Sequence, residues 1–134
     1  KAKSAIEIFD YIHSLDSQKL ADILSKSEKN FEKKLKYFIQ INIGNEIQKS
    51  GVKVNELDDF YNYCTKEKNL HVIGLMTIPP NDENTRMYFK SMSDLNNSLQ
   101  LQELSMGMSS DYQEAVKLGS TFVRIGSSIF GPRN

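Results

Sequence analysis

The chain has 134 residues, enough for one modest domain with a core. Its 17 basic and 17 acidic side chains cancel, which leaves no electrostatic footprint for nucleic acid or for an anionic membrane surface. Cys64 is the only cysteine, so a disulfide framework and a cysteine-based metal site are excluded and a reducing, cytoplasmic setting is expected; no apolar run approaches the ~20 residues that span a bilayer, and no signal peptide is recognisable.

Five short apolar runs alternate with polar, helix-like stretches. The first run is 9–15. Ser17 then caps a helix whose one face carries Leu20, Ile23 and Leu24. The Lys/Glu-rich stretch 25–36 alternates in charge sign and reads as a solvated helix face. After the second run, 37–43, Leu57, Phe60, Tyr61 and Cys64 fall at i, i+3, i+4 and i+7, which makes Cys64 a buried small hydrophobe. The third run, 71–78, ends at Pro79-Pro80. Tyr88, Met92, Leu95 and Leu99 then mark a helix face. The fourth run is 103–108; Ser110 with Gln113 forms a capping box, and Gly119 suits the position just past that helix. The fifth run is 122–125. The methionines Met76, Met87, Met92, Met106 and Met108 read mostly as core filler.

Runs apolar almost throughout suit strands covered on both faces, and no Asn-Gly or Asp-Gly hairpin separates them. The chain therefore reads as one parallel α/β domain over 1–134. A doubly wound sheet and a (β/α)₈ barrel both fit the spacing. Pattern alone slightly favours the doubly wound sheet, because five strands complete it and the barrel needs eight.

In either fold the ligand sits at the carboxyl ends of the strands. The loops there are 14–16, 42–45, 77–80, 108–110 and 126–128. Ser109-Ser110 runs into a helix start, and Gly126-Ser127-Ser128 follows the last strand; both offer small hydroxyls and backbone N–H groups to an anion. Met108 borders the first of them. Arg124, within an apolar strand, points either outward to a carboxylate or inward to a ligand. His13 lies near a strand end with no evident partner. His71 lies at a strand start, the wrong end for catalysis, and reads as structural.

Three segments together are specific: Gly74-Leu75-Met76-Thr77-Ile78-Pro79-Pro80, Leu104-Ser105-Met106-Gly107-Met108-Ser109-Ser110-Asp111-Tyr112, and Gly119-Ser120-Thr121-Phe122-Val123-Arg124-Ile125-Gly126-Ser127-Ser128-Ile129-Phe130-Gly131. With Ile12-His13-Ser14-Leu15-Asp16-Ser17, Gln40-Ile41-Asn42-Ile43 and Lys49-Ser50-Gly51, the chain resembles the YggS-type pyridoxal phosphate homeostasis proteins, also called the proline synthetase co-transcribed family. The resemblance implies a single-domain TIM (β/α)₈ barrel of the alanine racemase N-terminal type. This chain would hold about five β/α units, barrel strands four to eight, with three strands preceding Lys1.

The resemblance also implies roles. Ser109 and the backbone of Gly126 and Ser127 would hold the phosphate of pyridoxal 5′-phosphate. Arg124 would face the pyridine nitrogen and keep it unprotonated, which suits a carrier or a racemase better than a transaminase. The Schiff-base lysine of the family lies on the first strand, outside this sequence. No lysine here sits inside a strand run, and Lys36 only precedes one. Lys49, in a loop on the cofactor face, is either a substitute amine or a solvated loop lysine.

The function implied is an intracellular cofactor carrier or regulator, with no residue assigned to catalysis or to a metal. The alternatives are a racemase-like enzyme, whose additional domain has no room after Gly131, a phosphate-binding barrel without the cofactor, and an inert fragment. The full-length protein is expected to be monomeric. The present chain is expected to need its missing strands, or another chain, because residues 37–43 and 71–78 are too apolar to face water.

Overall fold

The computed structural model describes residues 6–47, 50–80, 82–108 and 111–124, and of Met108, Val123 and Arg124 the backbone. Strand β1 (Tyr11–Leu15) leads into α1 (Gln18–Phe31), then β2 (Lys36–Gln40). A 3₁₀ turn, Val54–Glu56, opens α2 (Leu57–Asn62), which continues as a π-helical turn over Tyr63–Glu67. There follow β3 (His71–Met76), α3 (Thr85–Ser98), β4 (Glu103–Met108), α4 (Tyr112–Lys117) and β5 (Phe122–Arg124).

All pairings are parallel and the strand order is β1-β2-β3-β4-β5. A doubly wound sheet reverses its order at a switch point. This sheet never does, which corrects the expectation drawn from pattern alone. It curls instead: the rings of Tyr11 on β1 and Phe122 on β5 stand 5.4 Å apart. The architecture of the described residues is five strands and the four intervening helices of a (β/α)₈ barrel wall.

The two sheet faces do different things. Leu15, Ile39, Leu75 and Leu104 are successive register partners and are all buried with the helices on the outer face. The helices bring Ala21, Leu24, Leu57, Phe60, Cys64, Phe89 and Met92 to the same core. Each leucine, isoleucine, phenylalanine or methionine among them contributes about 1.5–3 kcal/mol by leaving water. Phe38 and Met76 are buried too but belong to the opposite, lumen face. Residues 37–39, 41, 72 and 74–76 are thus buried within this chain, while His71 is exposed.

The helical expectations hold in outline. Ser17 caps α1 by accepting from the Leu20 N–H at 3.1 Å. Leu57, Phe60 and Cys64 are buried, and Gly119 takes a φ of +106° just past α4. Four details differ. The cap of α4 is Asp111 rather than Ser110, which lies outside the described residues. The buried stripe of α3 is Phe89, Met92 and Asn96, with Leu95 and Leu99 flanking it and Tyr88 only half-buried. Asn96 is tolerated because its amide is fully used: Oδ1 accepts from the Leu75 N–H at 3.0 Å, and Nδ2 donates to the carbonyls of Glu103 and Leu101. Met87 is 58% exposed rather than core filler, being on the outer side of α3. In the stretch 25–36, Ser25, Ser27 and Glu28 are buried, because that helix face packs on β2 and the α2 end.

Strands are shorter than the apolar runs. Phe9 stands outside β1 and half-exposed. β2 ends at Gln40 because the Asn42 side chain turns the chain, accepting from the Glu46 N–H at 3.0 Å and donating to the Glu46 carbonyl. Lys36 is the first residue of β2 rather than a residue before it, since its N–H donates to the Asp10 carbonyl and pairs it with Tyr11.

Candidate functional site

The carboxyl ends of the strands open at one end of the barrel. Three of their polar side chains are consumed in shaping loops. Asp16 accepts from the Gly51 N–H at 3.1 Å, and Asn42 closes its own turn. Thr77 donates its hydroxyl to the Ile41 carbonyl at 2.9 Å and its N–H to the Ser105 carbonyl. A cavity of about 440 Å³ lies beside these loops, lined by Asp16, Ser17, Gly51, Glu56 and Phe60 among others.

The ends of β4 and β5 remain. Their register shifts between Ser105 and Met108: Ser105 pairs with Phe122, Met108 with Arg124, so Met106 and Gly107 together stand opposite Val123. Gly107 has a φ of +102°, which a residue with a Cβ rarely adopts. This bulge sets the backbone of Met108 level with that of Arg124. From there the chain enters residues 109–110 on one strand and 125–128 on the other. The hydroxyls of Ser120 and Thr121 hold the two strands together beneath: Ser120 Oγ lies 2.7 Å from the Met106 carbonyl, and Thr121 Oγ1 accepts from the Leu104 N–H at 2.7 Å.

Of the residues singled out from sequence, Ser109, Gly126, Ser127 and Lys49 lie outside the described residues, and Met108 and Arg124 are placed by backbone alone. Sequence reasoning singled out His13 but missed its partners, one layer below. His13, on the lumen face, is stacked on Phe38 at 4.3 Å with an interplanar angle of 22°, and the Phe122 edge closes on both rings. Its Nδ1 is 2.8 Å from Ser105 Oγ. The available signal was a serine in the middle of an otherwise apolar strand, Ser105. His71 stands exposed at the opposite, N-terminal mouth. There a cavity of about 410 Å³ is lined by Tyr11, Lys36, His71 and Glu103 among others. Among the described residues, no group of three or more His, Cys, Asp or Glu could hold a metal ion, and no helix is long and apolar enough to cross a membrane.

A curled, sequentially ordered parallel wall with its open loops at one mouth defines the class, a (β/α)₈ barrel. The chain belongs to the alanine racemase N-terminal domain family, whose model matches residues 1–134. The pyridoxal phosphate homeostasis protein of Aquifex aeolicus is 40% identical over 131 residues, 91% of this chain and 58% of that protein. The protein of the same name from Pasteurella multocida is 38% identical over all of this chain and 62% of its own length. This chain therefore spans about three fifths of these relatives. Among solved structures, PipY of Synechococcus elongatus without PLP superposes with a TM-score of 0.90 at 33% identity, over 98% of this chain and 66% of that one. The PLP-bound PipY structure superposes at 0.87.

Proposed function

We propose that this chain is the C-terminal part of a cytoplasmic, single-domain protein that binds pyridoxal 5′-phosphate and serves its homeostasis as carrier or regulator. The observation that carries this reading is the β4–β5 end. The bulge at Gly107 aligns Met108 with Arg124 where both strands enter Ser/Gly-rich segments. The names of the relatives and the PLP-bound PipY structure support the same reading.

The residues suit the group. Ser109 and the N–H groups of Gly126 and Ser127 would hold the phosphate, as small residues at strand ends do in this fold. Arg124 would face the pyridine nitrogen and disfavour its protonation by like charge. Met108 would border the ring. The aromatic layer of His13, Phe38 and Phe122, with Phe38 buried and the other two half-buried, would lie beneath the ring. When bound, the cofactor supplies a reactive aldehyde. The lysine that takes it would lie on a preceding barrel strand, as the family resemblance implies, and Lys49 would be either a substitute primary amine or a solvated loop lysine. The preceding strands complete the barrel, and the complete protein is a monomer.

The test is thermal unfolding of the full-length protein with pyridoxal phosphate, pyridoxal or inorganic phosphate. Pyridoxal phosphate is expected to raise Tm saturably, and Arg124→Ala or Ser109→Ala to weaken that rise. No rise in the wild-type protein overturns the reading. An equal rise with inorganic phosphate reassigns the site to plain phosphate. Borohydride reduction and peptide mapping then decide the role of Lys49.

A further inference from the structure

The lumen holds a polar pair that the sheet and the outer core do not require. Strands β1 and β4 are not neighbours, yet His13 Nδ1 meets Ser105 Oγ at 2.8 Å across the curl. Two local devices make the reach possible. First, β1 is irregular between Ile12 and Leu15, so His13 and Ser14 together face the single partner Phe38. Second, Gly74, the β3 partner of Phe38, adds no side chain to the lumen. A Cβ there would collide with the Glu103 carbonyl and stand 3.0 Å from Phe38 Cε2, tilting that ring off the imidazole.

The pair sits directly beneath the β4–β5 end. Ser105 is the register partner of Phe122, whose ring packs on His13 at 5.4 Å, and Arg124 follows two residues on. Ser105 is also the last regular pairing before the bulge that levels Met108 with Arg124. Two apolar side chains would fill this volume without desolvating an imidazole and a hydroxyl. A hydrogen bond instead fixes one distance and one orientation.

We propose that His13 and Ser105 are positioning residues of the cofactor site: their bond across the lumen sets the height and tilt of the strand ends that carry Met108 and Arg124. The inference rests on the cofactor-binding reading above. It is tested in the full-length protein titrated with pyridoxal phosphate. His13→Phe keeps the stack and removes the bond; Ser105→Ala removes it from the other side with little change in volume. Both are expected to weaken binding roughly tenfold, the worth of one buried hydrogen bond, and to shift the absorbance maximum of the bound cofactor. The double variant should do no more than either alone, and Ser105→Thr, which retains the hydroxyl, should restore both readouts. A lowered Tm with wild-type affinity and spectrum in Ser105→Ala means the pair only packs, and overturns the inference. If the wild-type protein itself takes no pyridoxal phosphate, the underlying reading falls, a distinct result that takes the inference with it.

Discussion

Glu28 is a charged residue in a stretch that reads as surface. Its Oε2 accepts from the Leu35 N–H at 2.9 Å and from the Tyr37 hydroxyl at 2.8 Å, and Lys34 Nζ lies 3.3 Å from Oε1. Glu28→Ala would leave a buried N–H and a buried hydroxyl unpaired, and is expected to cost about 3 kcal/mol in chemical denaturation. Burial first, and the bond to Glu28 second, push the Tyr37 hydroxyl well above the usual tyrosine range. Its folded value exceeds its unfolded one, so its contribution is complete below about pH 10 and is lost as pH rises beyond that. Wild-type stability should fall at alkaline pH, and Tyr37→Phe should flatten that limb; an unchanged alkaline limb would contradict the assignment. Cys64 makes a comparable case. Burial, with a smaller push from Asp22, raises its thiol to about 12. Iodoacetamide at neutral pH should label it only as fast as the protein opens, and rapidly in urea.

At the scale of elements, the β4–β5 connection depends most on a single residue. Gly107→Val would force a β-branched residue to a φ of +102°, a strain of roughly 1–3 kcal/mol. It is expected to remove the bulge rather than merely destabilise, so cofactor affinity should fall further than the change in Tm accounts for. Ser120→Ala, which deletes the hydroxyl bridging Met106 and Phe122, is expected to loosen β5 from β4 and raise hydrogen exchange there first. In α1, Leu24→Ala should cost about 2–5 kcal/mol with no effect on the site, since Leu24 faces the outer core.

At the scale of the molecule, five strands of an eight-stranded barrel leave β1 and β5 with open edges. The lumen partly closes over Phe38, but Ile8, Phe9 and Tyr11 remain exposed near the start of β1. Such apolar residues beside an unpaired edge suit the preceding strand and helix of the barrel. Residues 1–134 expressed alone are therefore expected to associate, and to become monomeric when the preceding strands are supplied in cis. Size exclusion with mass detection checks this; a soluble, cooperatively unfolding monomer of 15.3 kDa would overturn it.

The order of elements, their parallel sense, the caps at Ser17 and Gly119 and the core face of α2 were legible in the sequence, because period and capping are local chemistry; of the face read for α1, Leu24 is buried while Leu20 and Ile23 are half-buried, and Ala21, Ser25, Ser27 and Glu28 complete the buried side. The family motifs were legible for the same reason: they are contiguous. The choice between an open sheet and a barrel was not in the periodicity, since both folds require the same strand–helix alternation; the curl that brings Tyr11 to Phe122 decides it. The burial of Glu28, Asn96 and Ser105 was not legible in the sequence, because the partners that satisfy them lie from 5 to 92 residues away. The bulge at Gly107 depends on the neighbouring strand, because register is a property of a pair. The residue types of the proposed cofactor site stand in the chain itself, whereas the aromatic layer of His13, Phe38 and Phe122, and the bond from His13 to Ser105, exist only once five strands have rolled into a wall.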